Sequence, residues 1–83
     1  MAGFSTKIEH KGISYIVQTQ DLGSPTHCIE SLIYKSGRAL SPRKTFYLHL
    51  LNSPTLKEEL LKLLEEQHKT VLKTITDGQF DPA

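Results

Sequence analysis

The sequence predicts an α+β domain, a four-stranded antiparallel sheet from two β-hairpins packed on one long C-terminal α-helix. Three observations predict it. Alternating residues flank Lys11-Gly12, a second alternating stretch flanks Ser36-Gly37, and from about residue 54 the apolar residues recur at helical spacing.

The first hairpin covers about 4–19. A two-residue connection ending in Gly suits the primed turns that match strand twist, which pairs His10 with Ile13 and sets the register. Ile8 then faces Tyr15, Thr6 faces Val17 and Phe4 faces Thr19. One side of the hairpin collects Phe4, Ile8, Tyr15 and Val17, and the other collects Ser5, Lys7, Glu9 and Ser14. Ile16 is the apolar exception on that polar side. The stretch from Gln20 to Thr26 is dense in turn formers and leads to the second hairpin, about 27–41. There Lys35 faces Arg38, Tyr34 faces Ala39 and Ile33 faces Leu40. Ile29, Ile33 and Leu40 take one face, while Leu32, Tyr34 and Ala39 take the other, so neither face is wholly polar. Pro42 has no N–H for a ladder and ends the strand.

Residues 45–51 fit two patterns. Phe46, Leu48 and Leu50 alternate as in a strand, whereas Tyr47, Leu50 and Leu51 share one face of a helix, and a short helix is the preferred reading. The long helix runs from about 54 to 77. Ser53 with Pro54, or Thr55 with Glu58 as a capping box, starts it, and Gly78 supplies the left-handed residue that ends it. Leu60, Leu64, Val71 and Ile75 centre its apolar stripe, which Leu56, Leu61, Leu63 and Leu72 widen to half the circumference. Glu58, Lys62, Glu65 and Lys69 lie on the solvated side at pairing distances. A helix of this length reaches about 35 Å and strands of six or seven residues about 20 Å, so the helix overhangs its sheet.

The composition bounds the function. Eighty-three residues make one small domain, and ten Lys and Arg against nine Asp and Glu provide no field for DNA or an anionic membrane. One cysteine allows no internal disulfide and no Cys-x-x-Cys metal pair, which leaves oligomerisation as the staple for so small a core. Met1 to Lys7 lacks the apolar core of a secretory signal, and no run is long enough to span a bilayer, so the expected location is cytoplasmic. Glycines occur singly, with no phosphate cradle, and His10, His27, His49 and His68 show no metal-ligand spacing. The acidic residues form no convergent pair, and no base motif accompanies Cys28. No catalytic residue, cofactor or metal is assigned, and the chain reads as non-enzymatic.

Two surfaces remain. Ile16, Leu32 and Tyr34 on the second sheet face, with Leu61, His68 and Leu72 on the helix, are the candidate interaction residues for a homodimer and a protein partner. His68 lies within the apolar stripe, beside Gln67, which reads as a polar pair hydrogen-bonded at the edge of the core or at a dimer seam. At a subunit contact it would make association sensitive to mild acid. The alternative is nucleic-acid binding through Lys35, Arg38, Arg43 and Lys44, interleaved with Tyr34, Phe46 and Tyr47 and free of acids.

The segment from Gly12 through Tyr15, Val17 and Gln18 to Gly23, with Ile33-Tyr34-Lys35-Ser36-Gly37 and Glu65-Glu66-Gln67-His68-Lys69, resembles a pattern in small uncharacterised bacterial proteins. The resemblance spans most of the chain. It implies a bacterial source and a domain of unknown function, and it carries over no activity or catalytic residue.

Overall fold

The computed structural model describes residues 3–81. Met1 and Ala2, part of the stretch read for a signal, lie outside the described residues. The elements are β1 (Gly3–His10), β2 (Ile13–Asp21), β3 (Cys28–Lys35), β4 (Arg38–Ala39), β5 (Arg43–Phe46), a single 3-10 turn at Leu48–Leu50 and α1 (Leu56–Thr76). The sheet is antiparallel with the order β1-β2-β3-β4, and β5 also pairs with β3. The α+β architecture expected from the sequence is the one observed, with one extra strand.

Both hairpins turn as their sequences dictate. Lys11 and Gly12 have φ of 52° and 78°, and Ser36 and Gly37 have 51° and 81°, the two successive positive values of the primed turn that Gly favours at its second position. The closing pairs are His10 with Ile13 and Lys35 with Arg38, so the expected register holds along the first hairpin. In the second hairpin the ladder ends at Ala39, although Leu40 N still donates to Ile33 O at 2.9 Å.

The segment read as a short helix over 45–51 is divided. Its start belongs to β5, where Phe46 pairs with Cys28 and Thr45 with Ile29, and only Leu48–Leu50 is helical. The cause lies outside the segment. β4 pairs only with the last two residues of β3, so the first half of that strand needs another partner, and Arg43–Phe46 supplies it. The helical pattern still holds for Tyr47 and Leu50, which pack with Ile29 and Leu64.

The helix starts at Leu56, with Thr55 as N-cap, but no Thr55 side-chain cap forms. The expected capping box is thus absent, and Ser53 Oγ accepts from Thr55 N at 3.3 Å instead. At the other end Gly78 takes φ 87° and its N–H bonds Ile75 O at 3.1 Å, the left-handed stop expected there. The 21 residues of α1 span about 31 Å, and the eight- and nine-residue strands about 26–30 Å. The overhang anticipated from shorter strands is therefore slight, and Tyr47 and Leu50 cover part of it.

The helix covers one face of the sheet. Tyr15, Val17 and Ile33 bury against Val71 and Ile75, with Ile8, Leu72 and Phe80 around them, while Ile29 and Tyr47 bury against Leu64. Beyond Gly78 the chain turns back to the first hairpin, where Asp81 meets Lys11 Nζ at 2.8 Å and His10 Nε2 at 3.1 Å. The Lys11 ammonium, by hydrogen bond first and by charge second, holds the Asp81 carboxyl below its usual range.

Candidate interaction surface

Alternation places Thr6, Thr19 and Ser31 on the helix-facing side, where α1 brings Gln67 and His68 to them. His68 is 6% exposed, with Nε2 2.8 Å from Thr6 Oγ1 and Nδ1 2.8 Å from Thr19 Oγ1. Thr19 Oγ1 lies 2.7 Å from Ser31 Oγ, which accepts from Gln67 Nε2 at 2.9 Å. Gln67 is the donor to Ser31, because an NH₂ group only donates, and the neutral imidazole of His68 donates from one ring nitrogen and accepts at the other. Gln67 continues the seam outward, donating to Arg43 O at 3.2 Å and accepting from the Thr45 hydroxyl. A line of hydrogen bonds thus ties α1 to β1, β2, β3 and β5 through the middle of the core.

His68, expected at an association surface, lies inside the chain, since both ring nitrogens are satisfied by its own sheet and its ring sits 5.6 Å from that of Phe4. Burial pushes its pKa down from the ordinary 6.5, so it is neutral at neutral pH. A second ring proton would turn His68 into a donor at both nitrogens and place a charge in the core, away from water. The group is a structural fastener, and its titration acts on folding rather than directly on a subunit contact.

The other three histidines do not converge with it. His10 is beside Asp81, His27 meets the Tyr47 ring edge-on at 5.8 Å, and His49 is in the 3-10 turn. Cys28 is fully buried. Tyr47 donates to Asp21 Oδ1 at 2.5 Å, and its phenol is pushed up to about 12, by burial first and the Asp21 bond second.

The remaining expected residues divide between two places. Ile16 and Tyr34 are direct cross-strand partners, and Leu32 follows one alternation away on β3, so these three adjoin on the sheet face away from α1. Ile16 is 37% exposed and Leu32 and Tyr34 are half-buried, with no element laid over them among the described residues. Leu61 and Leu72 are elsewhere. They stand seven residues before and four after His68, on the side of α1 nearer β1. Leu61 is 46% exposed, and Leu72 packs at the edge of the core.

Phe46, 55% exposed, shares the outer face, where the strand alternation of Phe46, Leu48 and Leu50 rather than the preferred short helix places it, and it was not among the residues expected at the dimer surface. Lys44 lies on that face too, 3.8 Å from Glu30. Arg43 points to the other face, 5.9 Å from the Phe80 ring, and Lys35 donates to Phe80 O, while Arg38 is exposed opposite Lys35. Lys35, Arg38 and Arg43 thus share the helix-side face, two of them at Phe80, and Lys44 alone lies on the outer face.

Comparison with protein-family models, curated proteins and solved structures finds no match to this chain. Its fold and surfaces define a small α+β domain with one covered and one open sheet face. No helix among the described residues is long and apolar enough to cross a membrane.

Proposed function

We propose that this chain is a non-enzymatic protein–protein interaction module, a small dimeric adaptor or regulatory subunit of the bacterial cytoplasm. The carrying observation is the contiguous apolar patch of Ile16, Leu32 and Tyr34 on the open face. An apolar cluster left in water on a sheet whose other face is packed fits a surface that a protein partner covers. Tyr34 gives such a contact an aromatic anchor with a polar end, and the long stem of Lys7, cross-strand from Ile16, borders it.

The test is affinity capture from the cell of origin with the wild-type chain and with Ile16→Lys/Leu32→Lys, two changes outside the helix-facing core. A protein held by the first and released by the second, with both chains equally folded by circular dichroism, is the expected result. Equal capture by both, or none by either, contradicts the reading. The nucleic-acid alternative is weaker, because Lys44 lies on the opposite face from the other three cations and Lys44, Arg43 and Lys35 have contacts within the chain. Steeply salt-sensitive binding of oligonucleotides would favour it instead.

A further inference from the structure

The two lateral edges of the sheet differ. On the β3 side the edge is broken into β4, of two residues, and β5, of four, with Pro42 between them. Short, interrupted strands of this kind give an incoming chain little to pair with. The other edge is β1, eight residues without proline, paired to β2 through His10 and open on its far side among the described residues. A two-residue turn closes on a hydrogen-bonded pair, here His10 with Ile13, so Phe4, Thr6, Ile8 and His10 bond β2. Gly3, Ser5, Lys7 and Glu9 therefore direct their N–H and C=O groups to the open edge.

The side chains of those edge residues have a self-complementary order. Lys7 and Glu9 are neighbours on the outer face, opposite in charge and both exposed. An antiparallel copy centred on Ile8 sets Lys7 against the partner's Glu9 and Glu9 against the partner's Lys7, in positions whose free backbone groups match. Ile8, half-buried at the margin of the core, meets the partner's Ile8 on the helix side. A copy centred on Lys7 would oppose two ammonium groups. One centred on Thr6 would place Lys7 opposite Ser5 and Glu9 opposite Gly3, leaving all four charges without partners.

We infer that the chain self-associates through β1, pairing antiparallel about Ile8 to make one continuous ten-stranded sheet. The occupant of the edge is a second copy, chosen by the match of backbone groups and of charge. α1 packs most closely over β2, so strand spacing sets the two helices about 14 Å apart, too far to pack directly. Leu61 and Leu72, on the β1 side of α1, line the seam between them. Because the two-fold axis is perpendicular to the sheet, both open faces point the same way and the Ile16, Leu32 and Tyr34 patch is presented twice. The inference supplies the dimer of the function proposed above but does not need its partner. Outer-face variants leave the β1 pairing intact, and edge variants leave a single patch intact, so the two readings fail separately.

The experiment is native mass spectrometry of the full chain with charge variants. Lys7→Glu and Glu9→Lys should each weaken the homodimer by about tenfold, since each places like charges opposite one another twice. Mixed in equal amounts, the two should form a heterodimer, and the chain carrying both changes should dimerise as the wild type does. Oxidation should cross-link Ile8→Cys, whose Cα atoms would lie about 4.5 Å apart, and not Thr6→Cys. Cys28, fully buried, does not compete. A monomeric wild type, single variants that dimerise unchanged, a mixture without heterodimer, or cross-linking through Thr6→Cys would each overturn the inference.

Discussion

Replacing His68 by alanine should remove the fastener that holds α1 to the middle of the sheet, and the structure sets the size of the loss. Thr19 is 1% exposed, so its hydroxyl would lose the Nδ1 partner at 2.8 Å with little water to replace it, at a cost of about 1–3 kcal/mol. The space left against Phe4 adds about 1 kcal/mol, while Thr6, half-buried, can turn to solvent. His68→Ala should therefore cost about 2–4 kcal/mol. A domain of 83 residues has about 4–12 kcal/mol in total. The change should lower the melting temperature by about 10–30 °C, read by far-UV circular dichroism with urea melts alongside. The same variant should alter the pH profile. The folded-state pKa is lowered from 6.5, so the unfolded chain takes a proton first as pH falls, and stability drops below pH 6.5 until the folded pKa is reached. His68→Ala removes that part of the slope. A loss under about 0.5 kcal/mol, within the range of ordinary surface changes, would refute the fastener.

Three further outcomes follow from single groups. Tyr15 is fully buried and its hydroxyl has no hydrogen-bond partner among the described residues, so Tyr15→Phe should raise stability by about 1 kcal/mol; a loss in urea melts would mean that the hydroxyl is satisfied. Tyr47, pushed up to about 12 from 10.0, keeps its proton in the folded chain while the unfolded chain ionises, so stability should fall between those pH values. Tyr47→Phe should remove that alkaline slope, and an unchanged slope would contradict the Tyr47–Asp21 contact. Gly37 holds φ 81° in open space, so Gly37→Ala should cost about 1 kcal/mol through backbone strain alone, measured by thermal melts, and a neutral result would contradict the turn geometry.

The features legible in the sequence are those set by local chemistry. Lys11-Gly12 and Ser36-Gly37 fix their turns, the turns fix the register, and the register assigns each side chain to a face. The helix was equally plain from its stripe and Gly78. What escaped depends on distant elements. β5 exists because the short β4 leaves half of β3 unpaired, which no pattern within 43–46 discloses. The overhang was overestimated because β1 and β2 extend through Gly3 and Asp21, beyond the alternating apolar run. The polar seam was closer to view. Thr6 and Thr19 already fell in the inward register and His68 already lay in the stripe, so two hydroxyls and an imidazole on facing core positions were a signal of hydrogen bonding within the chain. The stripe alone leaves His68 and Gln67 open between the core edge and a subunit seam, and the facing hydroxyls decide for the core.

The central claim is that this small domain works by association, starting with its own copy. The most direct test is the mass of the full chain in solution by light scattering, followed through a broad dilution series at neutral pH. A mass approaching twice 9.4 kDa at the concentrated end and falling on dilution is the predicted result. A mass of 9.4 kDa at every concentration would contradict it.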